Sequence, residues 1–256
     1  MIAAITVMAL TLAAQVPAQA EAPTPSCPEM AAALQSMMRN DARLRDWPQL
    51  ARYREANRTL PPPATPGARV VFMGDSITDY WQQPQFGALF ANPGYIDRGI
   101  SGQTTPQMLV RFRPDALALN PQVVVILAGT NDIAGNTGPM PDEEIEGNLA
   151  SMSELAHAHG IKVVLASITP TSAYHTRPNG TPETTVRPMT RIRALNAWMQ
   201  KYAADHGDVY LDYFSAMLDD TGVMKEELTR DDLHPNAAGY AVMQPLAEAA
   251  IRRALR

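Results

Sequence analysis

The stretch VVFMGDSITDYW, residues 70–81, runs four apolar residues directly into Gly74, Asp75 and Ser76. A short, largely β-branched and aromatic run bounded by a glycine reads as a strand buried on both faces. The ending carries the information. A buried strand that closes on a glycine, a carboxylate and a hydroxyl has brought polar chemistry to the rim of a sheet. Gly74 is expected to permit the turn, and Asp75 to brace the neighbouring loops by hydrogen bonds.

The same pattern returns along the chain. RVVFM (69–73), VVVILA (123–128), KVVLASI (162–168) and VYLDY (209–213) are short apolar runs, and YIDRG (95–99) is a weaker one. Helix-like segments over 105–119, 141–159, 188–206 and 235–254 lie between or after them. Near-continuous apolar strands alternating with helices predict an α/β fold with a central, mostly parallel five-stranded sheet covered on both faces and joined by right-handed crossovers. In such sheets ligands gather at the carboxyl ends of the strands, so the residues following each strand matter most.

The surroundings of this pattern bound its context. The chain has 256 residues, 46% of them hydrophobic, a net charge of −5 and a single cysteine, Cys27. That is enough for one substantial core; it offers no basic patch for nucleic acid and no internal disulfide. Residues 1–20, MIAAITVMALTLAAQVPAQA, carry no charged side chain and close on the small-x-small pattern AQA. They read as a signal peptide cleaved after Ala20, which predicts a secreted or periplasmic protein with no integral membrane association after processing. TPSC before Cys27 fits a lipobox poorly. Residues 21–66 read as a helical leader, broken at Trp47-Pro48, and a Pro-rich linker; 67–256 read as the main domain.

The strand ends offer a consistent set of groups. Ser76 follows the first strand, Gly102 lies in GISGQTT after the second, and Asn131 and Asp132 lie in AGTNDIAG after the third. The long polar loop TPTSAYHTRPNGTPETTVRP, with His175, follows the fourth, and RDDLHPN, with Asp231 and His234, precedes the last helix. A serine hydroxyl is a poor nucleophile until a base takes its proton, and histidine titrates in the useful range. That histidine gains from a carboxylate that fixes its tautomer. Asp231 and His234 stand three residues apart, a spacing that can bring both side chains to one side of a turn. A tetrahedral intermediate also needs donors for its oxyanion, which backbone N–H groups at glycine turns and a side-chain amide can supply.

The blocks GDSIT, GISGQTT, GTND and DDLHPN, in this order and spacing, resemble those of the SGNH hydrolases, also called the GDSL esterase/lipase family. The resemblance runs from about Arg69 to the final helix. It implies a flavodoxin-like three-layer α/β/α sandwich and metal-free, cofactor-free catalysis. Ser76 would be the nucleophile, His234 the base and Asp231 its orienting carboxylate; the Ser76 N–H, the Gly102 N–H and the Asn131 amide would form the oxyanion hole. The G-x-S-x-G elbow of ordinary α/β-hydrolases is absent, because Ile77 and Thr78 follow Ser76. Two positions depart from the family pattern. Asp232 stands where glycine is common, placing a second carboxylate near His234, and Asp97 stands where asparagine is common and is expected to be structural.

The implied function is a secreted serine esterase acting on short, acetyl-type acyl esters, with a carbohydrate as a candidate alcohol portion. The absence of a long apolar lid insertion favours the short acyl group. Lysophospholipase- or thioesterase-type hydrolysis is the alternative within the same chemistry. A non-catalytic carbohydrate-binding module on this scaffold, and a receiver with Asp75 as its acidic centre, are the alternatives outside it. His157 and His159 are two apart on a helix and point in different directions, so they form no metal pair. His206, beside Gly207, is expected to interact with the last carbonyls of its helix. His175 is placed to reach substrate, and Trp81 is either core or a wall of the acyl pocket.

Overall fold

The computed structural model describes residues 26–63, 69–175, 178 and 180–256. The predicted signal peptide and part of the Pro-rich linker lie outside the described residues. The chain divides into two compact units, Met1–Leu44 and Arg45–Arg256. In the first, α1 (Cys27–Arg45) is a continuous helix with Met30, Leu34, Met37 and Met38 exposed.

The second unit begins with α2 (Arg54–Thr59), then β1 (Val70–Gly74), α3 (Ser76–Trp81), β2 (Tyr95–Gly99) and α4 (Thr105–Asp115). β3 (Val123–Leu127), α5 (Thr130–Ile133), α6 (Asp142–Ala158) and β4 (Lys162–Ala166) follow. The chain ends through α7 (Glu183–Val186), α8 (Met189–His206), β5 (Val209–Leu211), α9 (Phe214–Met217) and α10 (Ala237–Ala254). Five parallel strands lie in the order β2-β1-β3-β4-β5. The strand order reverses direction at β1, so the crevice between the loops after β1 and β3 is the topological switch point at which such sheets bind ligands. Ser76 follows β1 and Asn131 follows β3.

Alternate strand residues serve two separate cores, which is why the strands read as continuously apolar. Val71, Met73, Val124, Ile126, Val163 and Leu165 face α4, α6 and α8, together with Met108, Phe112, Leu149 and Leu195. Val70, Phe72, Val123, Val125 and Val164 face α3 and α10, together with Ile77, Trp81, Tyr240 and Met243. Truncating one of these, such as Phe72→Ala, would cost roughly 3–5 kcal/mol through lost transfer energy and the cavity left behind. Trp81 is core: it is 2% exposed and its ring packs on Phe90, Tyr213 and Tyr240.

Gly74 plays a different part from the one expected. Gly74 pairs with Gly99 across β1 and β2. A Cβ at Gly74 would lie 2.0 Å from Thr78 Oγ1, and one at Gly99 would lie 2.2 Å from the Asp79 nitrogen. The two facing glycines make room for α3 to cross the carboxyl ends of both strands.

The start of the unit also differs from the composition-based boundary at 66/67, since Arg45–Arg256 clusters as one body. The Asp46 carboxylate accepts from the Leu50 and Ala51 N–H groups at 2.7 and 2.9 Å, closing a turn after Trp47-Pro48. That turn brings Tyr53, 8% exposed, onto the sheet, where its hydroxyl donates to the Gly99 carbonyl.

Candidate active site

Three local devices bring polar side chains to the rim above β1 and β3. Asp75 caps α3, its Oδ1 accepting from the Ile77 N–H at 2.9 Å, and so fixes the first turn of the helix that begins at Ser76. Asp75 is 1% exposed, and burial pushes its carboxyl up to about 6 against the opposing Ile77 hydrogen bond and His234 charge. A group so enclosed cannot serve as an exposed acidic centre, which removes the receiver reading. Gly129, at φ 116°, opens α5 and leads into Asn131. Asn236 caps α10 by accepting from the Ala238 and Gly239 N–H groups, which leaves His234 two residues ahead of the helix.

Residues 229–235 form a tight loop. Arg230 N–H and Thr229 Oγ1–H both donate to the His234 carbonyl at 3.1 Å. Within it the Asp231 carboxylate accepts from the His234 backbone N–H at 2.8 Å, and Oδ2 lies 2.8 Å from His234 Nδ1. Beside a carboxylate, Nδ1 carries the ring proton. That leaves Nε2 as an acceptor, and Ser76 Oγ is 2.9 Å from it. Burial raises the Asp231 pKa, but the hydrogen bonds and charge of His234 and the Arg230 charge outweigh it and hold the carboxyl well below the usual range. Tyr80 flanks the imidazole, with ring centroids 5.2 Å apart.

The other predicted residues fall nearby. Gly102 lies in an exposed turn at φ 80°, and its N–H has no acceptor among the described residues. The Ser76 N–H opens a helix, where no intrahelical acceptor exists. Asn131 Nδ2 donates one proton to the Gln103 carbonyl at 3.0 Å, which leaves a second. Asp132 is structural: it accepts from the N–H and the hydroxyl of Thr105. Asp97 is structural too, accepting from the Gly99 N–H at 2.6 Å.

Asp232 is set apart from His234. At φ 70° it turns its buried carboxylate to the 172–175 loop, accepting from Ser172 Oγ at 2.7 Å and from the Tyr174 and His175 N–H groups at 2.9 and 2.7 Å. A cavity of about 320 Å³ next to the triad-like set is lined by His175, Glu183, Arg187, Leu233 and His234, among others. His175 thus reaches the same cavity as His234. A wider cleft of about 530 Å³ lies at the opposite, amino end of β4 and β5, beside Lys162, His206 and Arg253. It holds no serine and lies far from the switch point.

The remaining histidines make local contacts. His157 Nε2 is 2.6 Å from Asp208, and His159 Nδ1 is 2.8 Å from the Leu155 carbonyl. His206 Nδ1 is 2.9 Å from the Tyr202 carbonyl, in the last turn of α8. Among the described residues no group of three or more His, Cys, Asp or Glu side chains is arranged to hold a metal ion. None of their helices is long and apolar enough to cross a membrane.

Sequence reasoning missed Arg187, which is 5% exposed. Its Nε donates to the Thr130 carbonyl at 2.9 Å and its Nη2 to Asn131 Oδ1 at 3.2 Å, while Glu183 pairs with Nη1. It also missed Tyr53, Gln103 and Arg111, which brace the loop that carries Gly102. Nothing in the sequence marks a buried arginine, whose partners here combine a backbone carbonyl with side chains.

The chain matches the model of the GDSL-like lipase/acylhydrolase family over residues 72–242. It is similar to a proposed acylhydrolase from Bacteroides fragilis NCTC 9343, at 41% identity and TM-score 0.74, over 82% of this chain and 99% of that one. It is also similar to a GDSL-like lipase from Bacteroides thetaiotaomicron VPI-5482, at 38% identity and TM-score 0.73, over 81% of this chain and 98% of that one. A curated relative, the uncharacterized lipoprotein YqeF of Bacillus subtilis, is 35% identical over 82 residues. That match covers 31% of this chain and spans about a third of the relative's length (34%).

Proposed function

The chain belongs to the GDSL-like lipase/acylhydrolase family and is an ester hydrolase, and from that premise we propose that Ser76, His234 and Asp231 form its catalytic triad. The observation that carries this reading is the unbroken line from Ser76 Oγ through His234 Nε2, at 2.9 Å, and from His234 Nδ1 to Asp231, at 2.8 Å. His234 takes the Ser76 proton on Nε2 as Oγ attacks the ester carbonyl carbon. Asp231 accepts from Nδ1 and stabilises the imidazolium that forms. The Ser76 N–H, the Gly102 N–H and the free Asn131 amide proton receive the carbonyl oxygen as it becomes negative. His234 returns its proton to the departing alcohol oxygen and leaves an acyl-Ser76 ester. Water, deprotonated by the same base, then releases the acid and restores the hydroxyl.

We place the substrate among short acyl esters, acetyl above all. A cavity of about 320 Å³ is near the small end of ligand pockets. Its wall is mostly apolar, with Pro178 and Leu233, but it also carries His175, Glu183 and Arg187, and these polar groups support a polar alcohol portion such as a carbohydrate. The uncharged apolar residues 1–20 support export of the enzyme, with cleavage after Ala20.

Hydrolysis of p-nitrophenyl acetate by wild-type, Ser76→Ala and His234→Ala proteins tests the triad. Each variant should lose at least about 10⁴-fold in kcat while remaining folded. Turnover close to wild type in either one rejects the assignment. An acetyl-to-decanoyl series should peak at two to four carbons, and a maximum at the long end would reject the short-acyl reading.

A further inference from the structure

Gly102 presents a puzzle of positioning. It is exposed, it has no side chain, and a Cβ built on it would meet only Asn136 Nδ2, at 3.9 Å. At Gly102 itself the only restraint among the described residues is an exposed bond, its carbonyl accepting from Asn136 Nδ2 at 3.0 Å. Its flanks are held tightly.

Gln103 is the first brace. The side chain is 1% exposed and both ends of its amide are used. Its Oε1 accepts from Arg111 Nε at 2.5 Å, and its Nε2 donates to the Pro48 carbonyl at 2.8 Å. Its backbone carbonyl accepts from Asn131 Nδ2 at 3.0 Å. Arg111 is completely buried, and its Nη2 donates to the Gly74 carbonyl, two residues before Ser76, at 3.0 Å. The Arg111 guanidinium, through the Gln103 side chain, ties the Ser76 segment to the Gly102 segment, and the Gln103 backbone carbonyl ties that segment to Asn131.

Tyr53 is the second brace. Its hydroxyl donates to the Gly99 carbonyl, and the Arg98 guanidinium lies 4.6 Å over its ring. Arg98 Nε donates in turn to Asn57 Oδ1 at 2.8 Å, and Asn57 Nδ2 to Asp115 at 2.7 Å. Gln107, one turn into α4, donates to the Trp47 carbonyl at 2.8 Å. These contacts from 47–57 come from outside the stretch 72–242 that matches the family model.

We infer that Gln103, Arg111 and Tyr53 are positioning residues for the oxyanion donors, and that residues 46–57 are a working part of the active site although they do not line its cavity. The inference rests on the proposed role of Ser76, Gly102 and Asn131. A donor contributes only when its N–H points at the developing oxyanion, and a displacement of about 1 Å can cost about 100-fold in rate. The buried hydrogen bonds resist displacement because each polar group would otherwise be left unpaired away from water.

The test compares Tyr53→Phe, Gln103→Met and Tyr202→Phe in the full chain, using p-nitrophenyl acetate and a matched pair of oxo- and thionoesters. Sulfur is a larger, weaker acceptor, so an aligned oxyanion hole favours the oxoester and a misaligned one loses that preference. Tyr53→Phe should lower kcat by about 3–10-fold and Gln103→Met by about 100-fold, with KM held within about two-fold. The oxo-to-thiono ratio should fall in parallel. Tyr202→Phe, whose hydroxyl meets the Ala150 carbonyl at 3.4 Å, should leave both readouts unchanged. Gln103→Met removes a buried amide and risks misfolding; Tyr53→Phe removes one hydroxyl and decides the matter by itself. A lowered melting temperature in Tyr53→Phe with unchanged kcat and ratio overturns the inference. Turnover retained by Ser76→Ala, or a ratio unchanged by Asn131→Ala, would instead overturn the reading beneath it.

Discussion

Asp231 and Asp232 are adjacent in sequence, yet their carboxylates serve different histidines: Asp231 lies 2.8 Å from His234 Nδ1 and Asp232 lies 3.2 Å from His175 Nδ1. The chain separates them by turning through φ 70° at Asp232, a conformation that aspartate tolerates better than most residues. Burial raises the Asp232 pKa, but hydrogen bonds from Ser172, from His175 and from the Tyr174 N–H outweigh it, so the carboxylate stays ionised as an acceptor for the loop. The first carboxylate orients a base in the proposed triad; the second shapes the cavity wall.

This division predicts opposite phenotypes. Asp231→Asn should lower kcat by about 10³–10⁴-fold with little change in stability, because the ring loses its tautomer control while the turn survives. Asp232→Ala should lower stability by roughly 2–4 kcal/mol through lost charged hydrogen bonds and a strained φ, with the Ser76–His234 chemistry kept. Asp232→Gly removes the strain but not the hydrogen-bond loss, so it should fall between Asp232→Ala and wild type. Urea midpoints alongside kcat would separate the two residues. Equal kcat losses at 231 and 232 would show that the division of labour is wrong.

Arg187 predicts a second contrast. Its guanidinium holds Asn131 Oδ1 at 3.2 Å, which turns the amide nitrogen toward the Gln103 carbonyl and the proposed oxyanion position. Asn131→Ala should cost about 10²–10³-fold in kcat, the usual loss for one oxyanion donor. Arg187→Lys keeps a charge near Glu183 but cannot span Thr130 and Asn131 with a planar fork, so it should cost about ten-fold in kcat with KM little altered. A KM rise at constant kcat would instead assign Arg187 to ground-state binding.

The layout of strands and helices was legible because the central strands are buried on both faces and the crossover helices α4, α6 and α8 start on threonine or proline. Ser76, Asp231 and His234 could be singled out because their chemistry demands those residue types and because Asp231 and His234 are local to one another. The bracing groups were not legible for a physical reason. The Tyr53 hydroxyl meets a backbone carbonyl 46 residues away, and such an acceptor leaves no mark on a side chain. Arg111 looks like any surface charge in TPQMLVRFRPD, yet it is fully buried against Asp115 and Gly74. Composition likewise assigned 46–60 to a leader, because a turn that docks through carbonyls and a single tyrosine has no apolar periodicity. The role of Gly74 was misread because a need for close approach and a need for positive φ both select glycine, and only the position of Thr78 tells them apart.

The buried carboxylates predict an unusual dependence of stability on pH. Asp75 and Asp97 each have one oxygen, Oδ2, with no hydrogen-bond partner among the described residues. Burial pushes Asp75 up to about 6 and Asp97 up to about 7, well above the ordinary carboxylate range. Between those values the folded protein holds protons that the unfolded chain has released, so raising the pH through this window lowers stability. Asp231, held below the usual range, acts in the opposite sense: its contribution is present above the unfolded carboxylate pKa and is lost only as the pH falls below it. Stability should therefore rise as the pH drops from about 8 to about 5 and decline in stronger acid. Asp97→Asn retains an acceptor for the Gly99 N–H and removes the charge, so it should flatten the upper part of the profile and raise the urea midpoint at pH 8 relative to pH 5. Urea titrations of both proteins at four pH values would check this. A wild-type profile flat from pH 5 to 8, or an unchanged slope in Asp97→Asn, would show that these carboxyls are not the groups that titrate.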